Sequence, residues 1–286
     1  MLRIGQIEYA NCTPLFEVLR EQNPCAGYEF EAGVPAELNR MLLAGEIDVC
    51  PSSSIEYAYH PDRYRILPQL SISSIGAVAS VLLFSRLPVE KLDGRKIMLS
   101  SESATSVNLL KILLGQRFGC SCTYEVARPG TTVVDGDSSA LLLIGDSALR
   151  ASLEKSELFV YDLGDVWYSW TGLPFVFALW LCRNEVAAGG ELRSLARQLI
   201  RAKELVPGRL EQIAARAKEV SWLGSERLLA YWRDNISYQL DERAQAGLLL
   251  YYAKCAGSGL IAAVPELHFA NHIPEAGRPQ EVPPAG

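Results

Sequence analysis

Amides, hydroxyls and a carboxylate recur where apolar runs give way to helical patterns. Asn11 lies in Tyr9-Ala10-Asn11-Cys12-Thr13, Ser52, Ser53 and Ser54 follow Val49-Cys50-Pro51, and Thr105 and Ser106 close Ser101-Glu102-Ser103-Ala104-Thr105-Ser106. Asp146 comes directly after Leu141-Leu142-Leu143-Ile144-Gly145, and Ser80 is a lone hydroxyl in the apolar stretch 77–84. The first N–H groups of a helix have no partner within it, so with neighbouring hydroxyls they form a neutral cradle for carboxylate or phosphate oxygens. Two such cradles, at 52–54 and at 105–106, suit a ligand with two carboxylates. Each feature also has a structural reading. Serines and threonines before helices are ordinary caps, Asn11 can simply tighten its turn, Asp146 can cap a helix, and Ser80 can bond a neighbouring carbonyl.

Positioning these groups requires strands that end together. Residues 2–9 read as a strand, and Thr13-Pro14 opens a helix that turns Leu15, Phe16 and Leu19 to one face. A second strand near Tyr28-Glu29-Phe30 leads to a helix from Pro35 with Leu38, Met41 and Leu42 inward, stopping at Gly45. Residues 46–50 read as a strand that Pro51 ends. Further strands are expected at 77–84, 96–100, 141–144 and 173–182, the last apolar enough for burial on both faces. From residue 188 the period becomes helical, with stripes Leu192/Leu195/Ala196/Leu199/Ile200, Leu210/Ile213, Leu228/Tyr231/Trp232 and Leu248/Leu249/Tyr252 read as core-facing.

At 286 residues and 49% hydrophobic content the chain can bury a substantial core, and a net charge of -6 without basic runs argues against nucleic-acid or anionic-membrane partners. The partner expected is a small molecule. Seven irregularly spaced cysteines suggest a reducing compartment, and Cys120-x-Cys122 lacks a second ligand pair for zinc. No apolar leader follows Met1-Leu2-Arg3, and the apolar run 173–182 is half of the ~20 residues a spanning helix needs, so a cytoplasmic location is expected.

Alternating strands and helices define an α/β chain with mostly parallel sheets. Two apolar strands bracketing a central block imply a chain that crosses into a second lobe and returns, the layout of a two-lobed type II periplasmic-binding-protein-like fold with a cleft between the lobes. The expected division is 1–85 plus 183–264 for the first lobe, 86–182 for the second, and an extended or disordered tail at 265–286. Such folds serve transport, regulation and catalysis, so the class alone does not select a function.

The blocks Ile4-Gly5, Tyr9-Ala10-Asn11-Cys12-Thr13-Pro14-Leu15, Gly33-Val34-Pro35-Ala36-Glu37-Leu38-Asn39, Gly45-Glu46-Ile47-Asp48-Val49, Ser52-Ser53-Ser54-Ile55-Glu56-Tyr57, Ser103-Ala104-Thr105-Ser106, Leu142-Leu143-Ile144-Gly145-Asp146 and Thr171-Gly172-Leu173-Pro174-Phe175 together carry a resemblance. Over residues 2 to about 260 the chain resembles the MqnA family, the chorismate dehydratases of the futalosine route to menaquinone. The resemblance implies a bacterial cytosolic lyase that converts chorismate to 3-[(1-carboxyvinyl)oxy]benzoate without a metal or organic cofactor. An asparagine in the first bend and a serine in the crossover strand are tied to catalysis in that family and match Asn11 and Ser80. Ser52, Ser53, Ser54, Thr105, Ser106, Asp146, Thr171 and Gly172 are the expected substrate-binding residues. The related 1,4-dihydroxy-6-naphthoate synthases (MqnD) share the fold but carry a histidine base where this chain has Ile144-Gly145-Asp146, and His60, His268 and His272 lie outside every bend. A non-catalytic small-anion receptor is the rival from another class. With no histidine in the bends, the expected base is the substrate's own enolpyruvyl carboxylate, with Glu8, Glu56 and Asp146 as alternatives.

Overall fold

A computed structural model describes residues 1–22 and 27–270. In chain order its elements begin with β1 (Leu2–Ile7), α1 (Thr13–Gln22), β2 (Tyr28–Gly33), α2 (Pro35–Ala44), β3 (Val49–Ser53), α3 (Ser54–Tyr59) and β4 (Tyr64–Ser74). The chain then forms β5 (Val81–Ser85), β6 (Lys96–Leu99), α4 (Ala104–Ile112), β7 (Thr123–Val126), β8 (Ala140–Ile144), α5 (Gly145–Ala151), β9 (Phe159–Asp162) and α6 (Leu163–Thr171). It returns through β10 (Phe175–Arg183) to α7 (Gly190–Leu205), α8 (Leu210–Ala214), α9 (Val220–Leu223), α10 (Ser225–Ala230) and α11 (Glu242–Gly257).

Two five-stranded sheets result, ordered β2-β1-β3-β10-β4 and β7-β6-β8-β5-β9. In the first, β1 is parallel to β2 and β3, while β10 runs antiparallel to β3 and β4. In the second, β6 is parallel to β7 and β8, while β5 runs antiparallel to β8 and β9. The sheets are therefore mixed, not mostly parallel. An apolar run reports burial on both faces but not strand direction, and the antiparallel strands are the two that lead the chain into a new sheet. Because β5 pairs in the second sheet and β10 in the first, the chain passes between the sheets within 75–80 and again within 163–174.

Local chemistry explains most element boundaries. Helix α2 starts on Pro35 and ends on Gly45, whose φ of 75° lets its N–H return to Leu42 O and Met41 O. Strand β3 extends three residues beyond the expected end at 50. Pro51 sits opposite Trp180 of β10, while the register with β1 is Ile4↔Val49, so the missing donor falls past that pairing. Ser80 lies just before β5 rather than within it, because the crossover at 76–79 has left-handed backbone at Gly76 (φ 84°) and Ala79 (φ 58°).

The helical stripes face the core as expected, with Leu192, Leu195, Leu199, Leu228, Tyr231, Trp232, Leu248 and Tyr252 all buried, although Leu249 is 38% exposed. Beneath the return strand, Trp167, Phe175 and Tyr251 pack edge to face with ring centroids 5.0–6.4 Å apart. Among the described residues the six cysteines Cys12, Cys50, Cys120, Cys122, Cys182 and Cys255 are free thiols. At the expected tail, residues 265–270 are held: Ile66 N donates to His268 O and Ala270 N to Ile66 O. Residues 271–286, with His272, lie outside the described residues.

Candidate functional site

The first bend lies between β1 and α1 and is gripped from three sides. Its Ala10 N–H donates to Asp146 Oδ1 of α5 at 2.9 Å, its Ala10 carbonyl accepts Trp232 Nε1–H at 2.7 Å, and its Asn11 carbonyl accepts the Tyr238 hydroxyl at 2.6 Å. With the backbone so fixed, the Asn11 side chain reaches a hollow where its buried Oδ1 has no protein partner.

Ser80 comes from the crossover loop before β5. Asp162, at the end of β9, accepts Val78 N–H at 3.0 Å and Ala79 N–H at 2.6 Å while capping α6 through Asp165 N. A carboxylate thus holds the left-handed Ala79 immediately before Ser80, strain of the kind that persists only where the surroundings over-determine it. The Ser80 carbonyl accepts Gly145 N–H at 2.7 Å. Burial raises the Asp162 carboxyl above its ordinary range, with the backbone donors opposing the shift.

Between the sheets these bends line a cleft open to solvent, whose empty space counting the solvent at its mouth is about 490 Å³, walled among others by Tyr9, Asn11, Ser53, Ser80, Ser103, Ser106, Gly145 and Phe177. None of the described residues lining it is charged. Asn11 Oδ1 and Ser53 Oγ are buried without hydrogen-bond partners, and the Tyr9 phenol, raised well above its ordinary range first by burial, also faces the Glu102 carboxylate. Ser103 caps α4 by accepting Ser106 N–H at 3.3 Å. Gly145 has a φ of 57°, and a Cβ there would meet the Tyr9 ring at 2.8 Å, so the phenol lies directly on the second sheet's strand end.

Of the residues expected from the sequence, Asn11, Ser53, Ser80 and Ser106 line this cavity; Ser52, Ser54, Thr105, Asp146, Thr171 and Gly172 do not. Ser52 Oγ contacts Cys50 Sγ at 3.4 Å within β3, while Ser54 Oγ and Ile55 N both meet Thr105 Oγ1 of α4, at 3.3 and 3.1 Å, so the Ser54 and Thr105 hydroxyls join the two halves. Thr171 Oγ1 donates to Trp167 O within α6, and the Gly172 carbonyl accepts Arg243 Nη2. Glu8 and Glu56 also lie off the cavity, Glu56 accepting the Tyr64 hydroxyl at 3.3 Å. Arg86 is spent on the carbonyls of Val134, Gly136 and Ser138, and Arg183 on Asp48. A larger hollow behind α1, near Glu8, Arg20 and Arg216, is crossed by the ion pairs Arg20–Glu17 and Arg216–Glu21.

Sequence reasoning missed Tyr9, Ser103, Asp162, Tyr231 and Tyr238. Tyr231 is read as core-facing from its spacing and Tyr238 carries no reading, yet a buried tyrosine hydroxyl needs a partner, and that need is the available signal.

Two mixed sheets with the chain crossing twice and a polar cavity between strand ends define a two-lobed periplasmic-binding-protein-like fold. The solved structure of the protein AF1704 from Archaeoglobus fulgidus is similar, with TM-score 0.73 and 19% identity, covering 91% of this chain and 98% of that one. So is the aliphatic sulphonate binding protein SsuA of Escherichia coli, with TM-score 0.67 and 17% identity, covering 100% and 96%. The model of a menaquinone biosynthesis family matches residues 2–257, and this chain belongs to that family. A chorismate dehydratase from Thermus thermophilus is 35% identical over 261 residues, covering 86% of this chain and 92% of the relative.

Proposed function

We propose that this chain is a cytosolic lyase that dehydrates chorismate to 3-[(1-carboxyvinyl)oxy]benzoate. The observation that carries the reading is the cleft lined by Asn11, Ser53, Ser80, Ser103 and Ser106, in which Asn11 Oδ1 and Ser53 Oγ lack protein partners. Family membership and the 35% identical chorismate dehydratase support it.

Loss of water from chorismate breaks one ring C–H and the neighbouring C–O bond and leaves an aromatic ring, whose stability drives the reaction. The enzyme has to hold the reactive conformer and stabilise developing charge. No carboxylate, histidine or lysine is among the described lining residues. In this proposal the substrate's enolpyruvyl carboxylate takes the ring proton and passes it to the departing hydroxyl, so that water leaves and no proton is gained or lost overall; the Glu102 carboxylate beside Tyr9 is the protein acid at the cleft's edge. The Asn11 amide fixes the carboxylate, and Ser80 O–H donates to the leaving oxygen. Ser53, Ser106 and the α4 start, reached through Ser103, bind the second carboxylate through neutral dipoles.

Incubating the purified protein with chorismate and following the aromatic product tests the proposal. Product formation supports it. Tight binding without turnover identifies a receptor instead, and turnover only of cyclic dehypoxanthinyl futalosine identifies the dihydroxynaphthoate synthase reaction.

A further inference from the structure

After α10 the backbone widens into a π-helical turn, Tyr231–Asn235, a geometry that recurs at functional sites. From this turn Tyr231 Oη–H donates to Ser80 Oγ at 2.9 Å, Trp232 holds the Ala10 carbonyl at 2.7 Å, and Asn235 Nδ2 donates to Ala77 O at 3.0 Å. One segment, remote in sequence, thus meets both loops that carry Asn11 and Ser80. We propose that Tyr231 is a positioning residue for the dehydration, holding and polarising Ser80 through a buried hydrogen bond so that the Ser80 O–H points at the leaving oxygen. The inference rests on the chorismate reading and deepens it.

A serine hydroxyl has one proton and two lone pairs. Tyr231 occupies one lone pair, while the proton has only a long contact, 3.3 Å, to Val78 O. That proton can swing into the cavity when a better acceptor arrives. Donation into a hydroxyl strengthens the donation it makes in turn, so the pair polarises a departing oxygen more than serine alone. Tyr231 is 3% exposed, so water does not compete for the bond. Burial also raises its phenol well above the ordinary range, which keeps the proton on Tyr231 and makes it a fixed donor rather than a proton source.

The test is Tyr231→Phe, alone and combined with Ser80→Ala, with 3,5-difluorotyrosine at position 231 as a second variant that keeps ring and hydroxyl. Tyr231→Phe should lower kcat about tenfold with KM within about twofold, and should cost nothing further in the Ser80→Ala background. The fluorinated variant should change kcat in the wild-type background and not in Ser80→Ala, whether or not the phenylalanine variant folds. Losses from Tyr231→Phe and Ser80→Ala that multiply, an unchanged kcat in Tyr231→Phe, or a fluorine effect that persists without Ser80 would overturn the inference. A wild-type protein inactive on chorismate would instead overturn the reading beneath it.

Discussion

Asp146 Oδ1 accepts the Ala10 N–H at 2.9 Å, so a carboxylate at the end of the second sheet's β8 fixes the backbone beside Asn11 at the end of the first sheet's β1. Asp146, expected to cap its helix or hold substrate, also ties the two halves together through this bond. This role has a pH signature. Burial raises the Asp146 carboxyl above its ordinary range; the Ala10 N–H opposes that shift and the Glu219 charge adds to it. A raised folded-state pKa gives a stability contribution fully present below the unfolded value of ~3.9 and lost as pH rises through the folded value. Asp146→Asn keeps an acceptor and removes the titration, so its Tm relative to wild type should climb as pH rises from about 4 towards neutrality. Thermal melts across that range check it, and a constant or falling difference would contradict it.

Asn11→Ala and Ser80→Ala should each lower kcat by ~10²–10³, the typical cost of losing one preorganised contact to developing charge. Steady-state turnover of chorismate measures this, and near-normal rates in both variants would reject the assigned roles. By the same reasoning Ser52→Ala and Thr171→Ala, whose hydroxyls are off the cavity, should leave kcat within about twofold.

Gly145→Ala should be doubly unfavourable. Its φ of 57° costs a non-glycine residue ~1–2 kcal/mol, and the new methyl would push the Tyr9 ring from its place 2.8 Å away. The expected result is a Tm lower by a few degrees together with a raised KM, because Tyr9 forms part of the cavity wall. A variant with wild-type KM would show that Tyr9 does not contact substrate.

Asp162→Ala removes the acceptor for two buried N–H groups and should cost ~2–4 kcal/mol while lowering kcat, since the loop it holds ends at Ser80. Ala79→Gly relieves the left-handed strain and should restore part of both losses in the double variant. Chemical denaturation with parallel kinetics reads the two effects, and absence of any rescue would remove Ala79 strain from the account.

Much of this was legible in the chain. The start of α2 on Pro35, its stop at Gly45 and the inward stripe of α7 follow from proline and glycine positions and from period, which are local signals. Asn11 was recognisable because a bend after a strand exposes its side chain at a sheet edge. The sharing of labour among the serines was not legible: Ser52, Ser53 and Ser54 are equivalent in sequence, and strand register alone decides that Ser53 faces the cavity while Ser54 meets Thr105. Tyr231 and Asp162 act across 151 and 83–84 residues of chain, respectively, and no local pattern encodes such pairings.

The central claim is that an uncharged cavity holds chorismate while the substrate supplies its own base. Comparing single-turnover dehydration of chorismate with that of its enolpyruvyl methyl ester tests it most directly. The account predicts rapid aromatisation of the free acid and essentially none of the bound ester, whose carboxylate oxygen is blocked. Dehydration of the ester at the rate of the acid would place the base on the protein and contradict the account.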